Sequence, residues 1–123
     1  IALTKDAKNR SFEIACADAG PLVPGADVSL GWTITDAFIA EHGMTGTWRA
    51  FNGTWQSVFR RQVAAVDKGS APHRVRFDVP LRYPAKVRDG ASLRVETGYI
   101  DNCGVEHLGI ANAVSWENAW SPP

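Results

Sequence analysis

No stretch of this sequence approaches the roughly 20 consecutive apolar residues that cross a bilayer, which excludes a membrane-spanning helix. It also has no net charge, 13 Lys+Arg against 13 Asp+Glu. Its basic residues come as pairs among acids, Arg60 with Arg61 and Arg74 with Arg76, where a nucleic-acid binder concentrates them on one face. Neither membrane insertion nor nucleic-acid binding is therefore expected. Cysteine is scarce, with only Cys16 and Cys103. An even count and a first residue other than Met suit an exported, secreted or extracytoplasmic chain and favour a Cys16–Cys103 disulfide. Such a bridge closes a loop worth about 4 to 5 kcal/mol in the chain-entropy model. The alternative is two thiols buried as small apolar side chains.

Signatures of catalysis are missing too. The three histidines, His42, His73 and His107, stand in no metal-ligand spacing, and no nucleophile elbow or phosphate-cradling glycine loop occurs. Glu41-His42 and Glu106-His107 set a carboxylate beside an imidazole, but neighbours on a strand point to opposite faces. They read as exposed polar residues in loops. No catalytic residue, metal or cofactor is expected. A small enzyme or ligand carrier requires two of Asp36, Glu41, His42, Asp101, Glu106 and His107 to meet in one cleft.

What the sequence does have is alternation. At 123 residues with 45% hydrophobic side chains, it can build one globular domain spanning residues 1–123. Apolar residues fall on every second position in Val28-Ser29-Leu30-Gly31-Trp32-Thr33-Ile34, in Val75 to Leu81, and in Leu93 to Tyr99. That is the pattern of strands with one buried face. Ser11 to Ala17 is a further strand, with Phe12, Ile14 and Cys16 in phase. Asn52-Gly53 between Thr47–Phe51 and Trp55–Phe59 signals a hairpin. Ser57 to Val66 fits a strand better than a helix. With turns between these runs, the expected fold is all-β, a single immunoglobulin-like antiparallel sandwich of seven or eight strands. Its expected core is Trp32, Ile34, Phe77, Val79, Val95 and Tyr99.

Five tryptophans, at 32, 48, 55, 116 and 120, are many for this length. Trp32 has the inward phase, and Trp48 is ambiguous. Trp55 follows a turn, where side chains are normally wet. An exposed indole offers a flat platform for the axial C–H face of a sugar ring, with Asn52 and Gln56 at hand for its hydroxyls. Equally, Trp55 folds back as a lid on the core. Trp116 and Trp120, four apart, share one face if their segment forms a helical turn.

Three further segments bear a family likeness: Arg49-Ala50-Phe51-Asn52-Gly53-Thr54-Trp55-Gln56-Ser57, Val75 to Leu81, and Leu93 to Asn102. In order and spacing, Val28 to Ala119 resembles the starch- and glycogen-binding modules attached to some amylases and to glycogen-targeting phosphatase subunits. The resemblance implies a sandwich fold, a glucan-like oligo- or polysaccharide ligand, Trp55 as platform and Asn112 as a polar contact. The leading expectation is thus a non-catalytic carbohydrate-binding module that uses Trp55, Asn52, Gln56 and Asn112, with Trp116 or Trp120 as a second platform. The alternative is an immunoglobulin-like structural or protein-interaction module of a secreted, surface or virion protein, anchored by its tryptophans. Asn9-Arg10-Ser11 and Asn52-Gly53-Thr54 also fit the N-glycosylation pattern, and a glycan on Asn52 would hinder a platform at Trp55.

Overall fold

The computed structural model describes residues 1–50, 53–100 and 102–110. Five strands form one antiparallel sheet: β1 (Glu13–Cys16), β2 (Asp27–Thr33), β3 (Trp55–Asp67), β4 (His73–Phe77) and β5 (Ser92–Val95), in the order β1-β4-β3-β2-β5. Among the described residues the protein is all-β apart from helix α1 (Asp36–Glu41) and a 3-10 turn at Val87–Asp89. Among the described residues no helix is long and apolar enough to cross a membrane.

The strands among the described residues number five, in one sheet instead of two facing ones, so the expected sandwich of seven or eight is not shown there, and β3 is the reason. Its first half pairs with β2 from Thr33↔Trp55 to Asp27↔Gln62, and its second half pairs with β4 from Val63↔Phe77 to Asp67↔Arg74. Register shifts at Leu30/Gly31 and Val63/Ala65 bend the strand, because an extra residue on one side raises the local twist. One 13-residue strand thereby serves two half-sheets that curl over a shared core. The expected partner of the hairpin is absent: Thr47 to Ala50 form no strand, and Trp55 pairs across to Thr33.

The N-terminal segment ties the two sheet edges together. Ile1 and Leu93 exchange hydrogen bonds of 2.8 Å, the Leu3 N–H donates to the Ala91 carbonyl, and the Thr4 N–H donates to the Ala15 carbonyl. One stretch of chain thus covers edge groups of both β5 and β1 that would otherwise template aggregation.

The core gathers Ile14 and Cys16 from β1, Val28, Leu30 and Trp32 from β2, Val63 from β3, Val75 and Phe77 from β4, and Leu93 from β5. Trp32 and Phe77 are therefore core residues as expected, and Ile34 packs partly buried against them. Val79 and Val95 are exposed, because β4 ends at Phe77 and β5 at Val95. Tyr99 lies beyond β5, where the Arg60 guanidinium stands 3.2 Å over its ring. Phe12, expected in phase with Ile14, is exposed one residue before β1 begins.

The expected disulfide is absent: Cys16 and Cys103 are not bonded to each other. Cys16 is fully buried with its Sγ 3.9 Å from the His73 carbonyl, whereas Cys103 lies in the exposed segment after β5. Burial raises the Cys16 pKa, so it behaves as the small apolar residue of the alternative reading. The cysteines consequently lend no support to an oxidising compartment.

Candidate functional site

Trp55, the expected sugar platform, opens β3 and sits opposite Thr33 on the outer face of the sheet. It lies over Gly31, whose missing side chain leaves room for the indole: a Cβ there would meet the ring at 2.5 Å. The Arg94 guanidinium stands 3.9 Å from the ring centroid. Arg60 and Arg94 are the cross-strand neighbours of Ser29 on either side of β2, so Arg60 reaches Tyr99 as Arg94 reaches Trp55. These cation–π pairs roof the outer face, which explains why Ser29 is buried on that side. The Trp55 indole Nε1 is buried without a hydrogen-bond partner. Gln56 is exposed and donates to the Thr54 hydroxyl at 3.1 Å. Asn52, Asn112, Trp116 and Trp120 lie outside the described residues.

A different tryptophan stands in a cleft. Thr35 caps α1, its hydroxyl accepting from the Phe38 N–H at 3.1 Å. After α1 the chain reverses at Gly43, with φ of 67°, and the Trp48 N–H donates to the Met44 carbonyl at 3.0 Å. That reversal brings Trp48 and Arg49 back beside Asp36 and Ile39, around a cleft of about 620 Å³ that Thr45 also lines. The Trp48 side chain is 43% exposed. Among the described residues neither Asp36 nor Arg49 forms an ion pair. An indole, a carboxylate, a guanidinium and a hydroxyl thus share one opening whose volume lies within the usual range of small-molecule sites.

Glu41 ends α1 and His42 caps it, and both border one small space with Phe38, Tyr83, Lys86 and Asp89. The His42 ring stacks on Phe38 with centroids 4.3 Å apart and on Tyr83 at 5.8 Å. Its Nδ1 lies 2.6 Å from the Phe38 carbonyl. An acceptor there requires Nδ1 to carry the proton, which leaves Nε2 of the neutral ring to accept from the Tyr83 hydroxyl. Glu41 accepts from Lys86 and Arg88, and these bonds hold its pKa below the ordinary value while raising that of Arg88. The buried Asp89 accepts from the Thr35 hydroxyl at 2.5 Å and from Arg88 Nε at 3.3 Å. The space these groups enclose is only about 20 Å³, room for about one water. This cluster is a clamp that fastens α1 to the 3-10 turn, and it leaves no room for a substrate.

The remaining candidates are dispersed. His73 receives the Ala19 N–H on Nδ1 at 3.0 Å and so shapes a loop. Glu106 and His107 are exposed in segment 102–110, and Asp101 lies outside the described residues. No group of three potential metal ligands occurs among the described residues. The sequence signal for α1 that strand reading missed is Thr35-Asp36, a capping hydroxyl followed by an acid in the first turn. No model of a known protein family matches this sequence, and no curated protein matches it either.

Proposed function

We propose that the protein is a non-catalytic carbohydrate-binding module whose ligand lies against Trp48 in the cleft between α1 and the reversal that follows it. The observation that carries this reading is the half-exposed indole sharing a 620 Å³ opening with Asp36, Thr45 and Arg49. A sugar ring lays its axial C–H groups on an aromatic face while carboxylate, guanidinium and hydroxyl groups bind its hydroxyl pairs. A platform at Trp55 asks more, since Arg94 must leave the ring first. An open cleft of this kind suits micromolar to millimolar affinity, about 4 to 8 kcal/mol. Isothermal titration with soluble glucans, followed by a broader glycan array, tests it. Trp48→Ala should abolish the heat and Trp55→Ala should leave it. Unchanged affinity in Trp48→Ala would refute the assignment.

A second reading, a protein-interaction module, has its own observation. Ile100, Val105, Leu108 and Ile110 are exposed on a stretch with no strand or helix, Ile100 at 84% and Ile110 at 88%. Clustered large apolar side chains in water mark contact surfaces. Light scattering over a concentration series favours this reading if association occurs and disappears in Leu108→Ser/Ile110→Ser.

A further inference from the structure

A second groove, lined by none of the residues around Trp48, lies between the N-terminal segment and the edge strand β1. It has a volume of about 520 Å³, and Lys5, Lys8, Arg10 and Arg74 line it together with Asp6 and Glu13. Of the two carboxylates only Glu13 has a cationic partner among the described residues. Asp6 accepts the Val87 N–H at 2.8 Å, and Glu13 pairs with Arg74 at 2.9 Å. Among the described residues Lys5, Lys8 and Arg10 form no ion pair. With Arg74 and Glu13 cancelling each other, Lys5, Lys8 and Arg10 face the single carboxylate of Asp6, so the groove is net positive in a chain whose net charge is zero.

The backbone there is held firmly. Ala7 and Ala85 exchange two hydrogen bonds of 2.9 Å. The Arg10 N–H donates to the Leu81 carbonyl at 2.7 Å, and the Leu81 N–H returns to the Ser11 carbonyl at 2.8 Å. Between these anchors Arg10 has a φ of 66°, a left-handed conformation that arginine rarely adopts. The anchors thus fix the direction in which the Arg10 side chain leaves the backbone.

We propose that this groove is a binding site for a small phosphate-bearing molecule, with Arg10 as the forked donor and Lys5 and Lys8 as point charges. A planar guanidinium matches two phosphate oxygens at once, and ammonium groups neutralise the rest. The volume fits a ligand of mononucleotide or sugar-phosphate size. A duplex would need a continuous basic face, and a neutral chain with its bases in scattered pairs offers none. This site is separate from the Trp48 cleft and goes beyond the proposed sugar binding.

Inorganic pyrophosphate is the probe, added to the full chain and followed by amide NMR shifts. The signals of Lys8, Arg10, Ser11 and Ala15 should move together along one saturable curve. Arg10→Asn removes the guanidinium while keeping a residue that tolerates positive φ, and Lys8→Gln removes a second charge. Each should weaken binding about tenfold or more at low salt, with the melting temperature unchanged. Trp48→Ala should leave the pyrophosphate curve intact, which separates this proposal from the sugar site. Citrate tests phosphate against carboxylate chemistry. Shifts scattered over every surface lysine, equal saturation by citrate, or full affinity in Arg10→Asn would overturn the proposal.

Discussion

Gly31 is where one added methyl group should do most damage, and the structure gives both sign and size. Its backbone lies outside the positive-φ region, so alanine is conformationally permitted. Were there space, Gly31→Ala would stabilise the protein by about 0.4 to 1 kcal/mol through a less flexible unfolded chain. There is no space. A Cβ would stand 1.9 Å from the Gln56 carbonyl oxygen and 2.5 Å from the Trp55 ring. The ring can move, but the carbonyl belongs to β3 at the register shift where it crosses β2. Relieving it means parting the two central strands. Overpacking a well-filled interior costs about 1 to 3 kcal/mol, and a backbone obstacle puts this case at the upper end or beyond. For a domain of this size, about 3 kcal/mol lowers the melting temperature by roughly 10 °C. Thermal and urea unfolding of Gly31→Ala measure it, with Gly109→Ala, which has open space, as the control. Adding Trp55→Ala should restore only part of the loss, since the carbonyl stays. A Gly31→Ala variant as stable as the parent, or full recovery once the indole is removed, would refute the close approach of β3.

Two other outcomes follow from the ionisable groups. Cys16 should react with Ellman's reagent only after denaturant is added, because it is buried with a raised pKa; rapid modification of Cys16 in the native protein, located by peptide mass mapping, would refute its burial. The Glu41 pKa is lowered by its hydrogen bonds to Lys86 and then Arg88, so its contribution is complete above the ordinary value of 4.5 and is lost as pH falls through the lower folded value. The melting temperature of Glu41→Gln should trail the parent at pH 7 and converge with it in acid, and a gap that stays constant with pH would disprove the ion pair.

Alternation was readable wherever a strand keeps one face to the core over its whole length. Val28, Leu30 and Trp32 in β2, Val75 and Phe77 in β4, and Ile14 and Cys16 in β1 are all buried in the phase their spacing demands. It misled at strand ends: the period runs on to Val79 and Val95 in the sequence, but the strands stop and both side chains meet water. In β3 the period breaks down, since bulges shift its phase and its two halves serve different parts of the sheet. That is why 57–66, although it fits a strand better, also carries a weak helical spacing. Helix α1 escaped notice because six residues give less than two turns of apolar periodicity, leaving only its cap as a signal.

The sites were harder to read because each depends on which partner a side chain finds across the sheet. Of the tryptophans among the described residues, Trp32 packs in the core, Trp55 spans Gly31 with Arg94 over it, and Trp48 borders an open cleft. Nothing within a few positions of Trp55 announces Arg94, which lies on β5 and reaches it across β2. Proximity to a turn therefore overstated the wetness of Trp55, while the reversal after α1 gave Trp48 an exposure that alternation could not foresee. Net charge misleads by the same mechanism. Thirteen cations and thirteen anions cancel in the sum, yet they are not spread evenly over the fold. Lys5, Lys8 and Arg10 share one groove with Asp6 as their only unpaired counter-charge, so a neutral chain still presents a positive surface where its fold separates the signs.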